Sequence, residues 1–151
     1  MITDTVQPLR IRRHTAQTIL HEAIHHQPDA YCGLLGGTTD ALITHSIRLP
    51  NTSPSKRQSL SPTLSQVTFP QHPEQVRCLG SFHCTSLNKT PDMTWMREIE
   101  AMIRQQLPHH EKLIHLLIAT DTAGRIETFA FRLQADHAES VPLEILEDGQ
   151  F

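Results

Sequence analysis

Residues 28–37 read Pro28-Asp29-Ala30-Tyr31-Cys32-Gly33-Leu34-Leu35-Gly36-Gly37. A short apolar run bounded by a proline and by paired glycines has the length of a buried strand rather than of a helix. Gly36-Gly37 predict a tight turn, because glycine takes positive φ without steric cost. Residues 41–49 supply the return strand: Ile43, His45, Ile47 and Leu49 recur with the two-residue period of a pleat and stop at Pro50-Asn51.

Upstream of this hairpin, Leu9 and Ile11 alternate with polar neighbours as in a short strand. Thr15 is placed to cap a helix whose apolar stripe is Ala16, Ile19, Leu20, Ala23 and Ile24, ending before Pro28. Downstream, residues 52–62 are rich in Ser and Pro and carry Lys56 and Arg57. They offer little apolar area against the entropy of ordering, and predict a mobile loop within one domain.

Residues 76–82 read as a central strand ending at His83, followed by a polar loop over 84–90. Thr90 can cap a second helix with Pro91 at its first position, and Trp95, Ile99, Met102 and Ile103 form its inward stripe before Pro108. Strands over 112–120 and 125–133 flank an Asp121-Thr122-Ala123-Gly124 turn, and residues 141–146 add a last strand. The order β-α-β-β-β-α-β-β-β predicts an α+β domain spanning residues 1–151, with a mixed, mostly antiparallel sheet and two main helices.

The 151 residues are 38% hydrophobic and 19% charged, enough for one core and too apolar for a disordered polymer. A formal charge of -3 provides no basic field for nucleic acid or an anionic membrane. The opening MITDTVQPLR lacks an apolar leader, and the longest apolar run, residues 113–119, is interrupted by His115 and too short to span a bilayer. A soluble, cytoplasmic protein is expected. Cys32, Cys78 and Cys84 lack the close spacing of a zinc knuckle or a disulfide framework and read as reduced thiols.

Three segments together resemble the JAB/MPN domain family, the fold of the JAMM zinc isopeptidases, and especially its compact stand-alone bacterial members. They are His21-Glu22-Ala23 through the strand ending Cys32-Gly33-Leu34-Leu35-Gly36-Gly37, then Leu49-Pro50-Asn51, then Gly80-Ser81-Phe82-His83-Cys84-Thr85. The last is similar to the family's G-x-x-H-x-H metal strand. In an active member two such histidines and a later aspartate hold Zn²⁺, whose fourth position carries a water of lowered pKa, while a serine stabilises the oxyanion and a glutamate takes the proton.

Carried onto this chain, the resemblance puts the first histidine at His83 and the second at Thr85, a neutral hydroxyl. The family's S-x-x-D falls on Met93 and Met96, or with a loop one residue shorter on Asp92 and Trp95. The glutamate position is Ala30, and the nearby carboxylate of Asp29 is expected on the opposite face of the strand. The resemblance implies the fold and, with ligand, base and aspartate replaced, a degraded motif.

Each candidate has a plainer explanation beside it. His83 can be a hydrogen-bonded histidine, Cys84 a structural thiol pointing away from it, Asp92 a carboxylate favoured by a helix N-terminus, and Trp95 a core anchor. His21-Glu22-Ala23-Ile24-His25 spells H-E-x-x-H, the pattern in which two histidines one turn apart bind zinc. At 100° per residue these two lie opposite the apolar stripe and are expected to face solvent. The leading expectation is a non-catalytic protein-interaction module for a ubiquitin-like tail or another protein, with no cofactor. The alternative is a divergent JAMM-type zinc isopeptidase using His83 with Asp92, and a third is a zinc hydrolase centred on His21, Glu22 and His25. The resemblance also leaves homo-oligomerisation open.

Overall fold

The computed structural model describes residues 8–25, 31–49, 64, 66–71, 75–87 and 92–147. In chain order the elements are β1 (Leu9–Arg12), α1 (Arg13–His25), β2 (Tyr31–Gly37), β3 (Leu42–Ile43), β4 (His45–Arg48), β5 (Arg77–Ser86), α2 (Met93–Gln106), β6 (His109–Thr120), β7 (Ile126–Leu133), β8 (Ala138–Val141) and β9 (Leu143–Leu146). Six strands form one sheet in the order β4-β2-β5-β6-β7-β8, antiparallel except for the β5–β6 pair, and β3-β1-β9 form a small parallel sheet. The α+β class with two helices and a mixed, mostly antiparallel sheet is therefore as the sequence predicts.

Both faces of the large sheet are covered, which is why β6 reads as a nearly continuous apolar run. On one face α1, β1 and Ile43 bury Ala16, Ile19, Ala23, Leu9 and Ile11 against Leu79, Phe82, Ile114, Leu116 and Ile118. On the other, α2 buries Trp95, Ile99 and Ile103 against Cys32, Leu34, Cys78 and Leu113. Trp95 is thus a core anchor. Ion pairs Arg10–Glu144 and Arg13–Glu147 cross the small sheet on its half-exposed side. Such pairs contribute about 0–1 kcal/mol each, whereas burying Leu9 and Ile11 contributes roughly 1.5–3 kcal/mol each, so burial holds β1 in place.

The glycines of the deciding segment work differently from expectation. Gly36 and Gly37 lie inside β2, and among the described residues the glycines with positive φ are Gly80 and Gly124. What β2 requires is close approach: a Cβ on Gly37 would stand 2.0 Å from the Leu42 carbonyl oxygen, and one on Gly33 would stand 2.3 Å from Cζ of Phe82, whose ring covers that glycine.

The return strand is also two strands. β3 pairs with β1 and β4 with β2, and the chain changes sheet at Thr44, whose carbonyl accepts the Thr15 hydroxyl at 2.9 Å. Ile43 consequently joins the α1 side while Ile47 and Leu49 join the α2 side, breaking the single face that the two-residue period predicts. Thr15 is buried inside α1 rather than capping it, and Ile24, assigned to the inward stripe, is exposed. The last strand divides at Pro142 into β8 and β9, again in different sheets, since proline cannot donate to a ladder. The 52–62 loop lies outside the described residues. No helix among the described residues is long and apolar enough to cross a membrane.

A bulge in β5 sets the orientation of everything after it. Leu79 is left out of the ladders with both β2 and β6, so Cys78 faces α2, Leu79 faces α1, and Ser81 faces α2 again. Gly80 makes this possible: its φ is +149°, and a Cβ there would lie 1.7 Å from the Ile114 carbonyl oxygen. Gly80→Ala is expected to cost roughly 3 kcal/mol or more, whereas Gly124→Ala, at φ +88° in open space, should cost about 1 kcal/mol. Urea denaturation of both variants checks this, and equal costs would remove the assigned role of the bulge.

Burial pushes the Cys78 thiol up to about 12 from its ordinary 9.0. The folded state therefore holds this proton more tightly than the unfolded chain. The contribution is fully present below pH 9 and is lost as pH rises towards the folded value. Between these limits wild-type stability should fall relative to Cys78→Ala by roughly 1.4 kcal/mol per pH unit, a slope readable from urea midpoints. Parallel pH profiles of the two proteins would contradict it.

Candidate functional site

Because of the bulge, Ser81, His83 and Thr85 share the α2-facing side of β5 by strand alternation. The strand runs on to Ser86, so His83 lies within it and not at its end as the sequence predicts. Parallel pairing puts Ser81 in register with His115 of β6. The Ser81 hydroxyl then lies 2.7 Å from His83 Nε2 and 2.7 Å from His115 Nδ1.

Glu100, four residues after the buried Met96 on α2, comes to 3.7 Å from His115 Nε2 and to 3.6 Å from the Arg104 guanidinium. Ser81 and His115 are fully buried and His83 is 7% exposed. Around them stand Met96, Leu117 and Phe131, whose ring stacks 6.0 Å from His115. The chain Glu100, His115, Ser81, His83 is thus a polar thread through apolar packing.

The thread has one unsatisfied link. His115 Nε2 has no hydrogen-bond partner within the described residues, and 3.7 Å to the carboxylate is an electrostatic contact rather than a bond. A buried polar atom in that condition costs about 1–3 kcal/mol.

Asp92 is the N-cap of α2, its Oδ1 accepting the Trp95 amide at 3.0 Å. This replaces Thr90 and Pro91, which lie outside the described residues, as the start of the helix. Thr85 is half-buried, Met93 half-buried, and Met96 buried in the apolar cluster beside Leu117. Cys84 points into the α1-side core, on the opposite face from His83. Ala30 and Asp29 lie outside the described residues. His21 and His25 are exposed with their rings stacked 6.3 Å apart, and Glu22 between them is half-buried.

Among the described residues no three His, Cys, Asp or Glu side chains come together to hold a metal ion. At the position where the JAMM pattern calls for zinc, one imidazole nitrogen is engaged by Ser81, Thr85 brings a neutral hydroxyl, and Asp92 serves the helix end. Among the described residues these groups do not supply three metal ligands. Ser81, beside its two histidines and with a carboxylate behind one of them, is fully buried.

Sequence reading missed Ser81, His115 and Glu100 as a group. One visible signal was His115, the sole interruption of the 113–119 apolar run. Another was Glu100, which falls on the same helical face as Met96 and Ile103.

No family model matches the chain, and no curated protein matches it. Solved structures do. DSY2949 from Desulfitobacterium hafniense aligns with a TM-score of 0.60 at 17% identity, over 94% of this chain and 95% of that one. AF2198, a JAB1/MPN domain protein from Archaeoglobus fulgidus, aligns with a TM-score of 0.54 at 16% identity, over 93% of this chain and 99% of that one. At such identities the likeness is one of architecture: the chain has the fold of a JAB1/MPN domain.

Proposed function

We propose that this JAB1/MPN-fold chain is a protein-interaction module with a degraded JAMM motif rather than a zinc hydrolase. The observation that carries the reading is the donor set around His83, in which Ser81 engages Nε2 and Asp92 caps α2. The partner class is a polypeptide with an extended segment, such as a ubiquitin-like protein with its C-terminal tail. Among the described residues β4 and β8 are the outer strands of the large sheet, and their edges offer main-chain groups to which such a segment can pair, a recognition mode that needs no catalytic residue. Three buried cysteines, none of them in a disulfide among the described residues, suit a reducing compartment, which supports placing the protein in the cytoplasm.

The test combines metal content with turnover. Tag-free protein analysed by plasma mass spectrometry should carry zinc far below one ion per chain and should leave a ubiquitin-like fusion uncut. In ¹⁵N-labelled protein, a ubiquitin-like protein should shift amide resonances of β4 or β8. Near-stoichiometric zinc lost with His83→Ala, together with chelator-sensitive cleavage, would establish the divergent zinc hydrolase instead. Zinc lost with His21→Ala, and cleavage abolished by Glu22→Gln, would move the chemistry to α1. Absence of any shift on either edge strand would remove the binding mode.

A further inference from the structure

The geometry points to a binding site for a phosphate monoester, of the kind carried on a phosphorylated side chain of a partner polypeptide, in the open cleft at the N-terminal end of β5. Thr38, Gln75, Arg77 and His110 line this cleft. Arg77 opens β5 and His83 lies near its other end, so the site does not depend on how that histidine is read.

Each lining residue is placed by a neighbour with a structural task. Val76 and Cys78 are both buried in the α2-side core, so Arg77 between them points to the opposite side of β5. The Val76 amide donates to the Pro70 carbonyl at 3.1 Å, and its carbonyl accepts the Gln71 side chain at 2.8 Å. These bonds fix the backbone that carries Gln75 and Arg77. Thr38 follows β2 and enters the turn closed by the Thr39–Leu42 bridge. His110, from β6, reaches across the start of β5 and donates its Nε2 hydrogen to the Gly37 carbonyl at 3.1 Å, since a carbonyl can only accept. Gly37 is the ladder partner of Arg77, so this bond brings residues of three adjacent strands to one place.

What these residues present is donors. A guanidinium, a primary amide and a hydroxyl share the cleft, and no carboxylate lines it among the described residues. The side chains of Thr38, Gln75 and Arg77 have no partner among those residues. The fork of an arginine matches two oxygens of a phosphate, and the amide and hydroxyl can serve its third, whereas a carboxylate has only two oxygens. The cavity, about 480 Å³, is much larger than a phosphate group and open to solvent. Its described lining has no apolar or aromatic wall of the kind that encloses the body of a small ligand. Such a cleft suits a group held out from a larger molecule, and a phosphorylated side chain offers about −1.5 to −2 charge on three acceptor oxygens.

The test titrates a short Gly/Ser peptide carrying one phosphoserine into ¹⁵N-labelled protein at constant ionic strength. Amides of Gly37, Thr38, Arg77 and His110 should shift saturably, and the same peptide with unmodified serine should leave them in place. Arg77→Gln should weaken binding roughly tenfold or more, Arg77→Lys by less, and Thr38→Ala by about twofold to tenfold. Equal binding of the unmodified peptide, binding unchanged by Arg77→Gln, or shifts confined to residues outside the cleft would overturn the inference. So would a glutamate peptide that binds as tightly as the phosphopeptide, because negative charge alone would then suffice. Adenosine monophosphate binding more tightly than the phosphopeptide would overturn the assignment of the phosphate to a polypeptide. The contrast between modified and unmodified peptide uses wild type alone, so the test decides even if a variant fails to fold.

Discussion

The contact on which the remaining structure depends is the approach of Gly80 to the backbone of Ile114. With no Cβ to hold them apart, β5 and β6 close around the bulge, and the phase of every later residue of β5 is inverted relative to Cys78. Without that inversion Phe82 would face α2 and His83 would lie among Leu116, Ile118 and Ile19 in the α1-side core. The bulge thus directs the large ring to Gly33 and the histidine to His115. Fold and site share one cause.

How much was legible in the sequence follows from which interactions are local. The buried strand over residues 31–35, the inward stripe of α2 and the Asp121 turn are specified by neighbours in the chain, and all three are found, although the strand runs on through the glycines expected to turn. Asp121 holds its turn by accepting the amides of Ala123 and Arg125, with Gly124 at positive φ. The glycines of β2 were conspicuous, but their reason is non-local: it lies in the Leu42 carbonyl and the Phe82 ring. The break at Thr44 depends on Thr15 arriving from another element, so a period count along one strand could not reveal it. Pro142 was a visible strand breaker, and its meaning was available without the structure.

The site divides in the same way. His83 and Asp92 could be singled out by motif, whereas the partners that define their state come from elsewhere: Ser81 by the phase change, His115 by parallel register, Glu100 by the packing of α2. A motif names atoms but not their hydrogen bonds. For an imidazole the bonds decide the chemistry, because a nitrogen that donates to a hydroxyl and one that binds a metal are in different protonation states.

The pairing of β1 with β9 has a consequence for the order in which the chain assembles. Arg13 and Glu147, which meet across the small sheet, are 134 residues apart. During synthesis α1 and β1 emerge well before β9, the strand that completes their sheet. Until then Ile11 and Ile19 have only part of their final cover, and closing so large a loop is slow because its entropy is lost before its contacts form. The small sheet is therefore a clasp that cannot shut until β9 is made, and until then the apolar face of α1 lacks part of its cover.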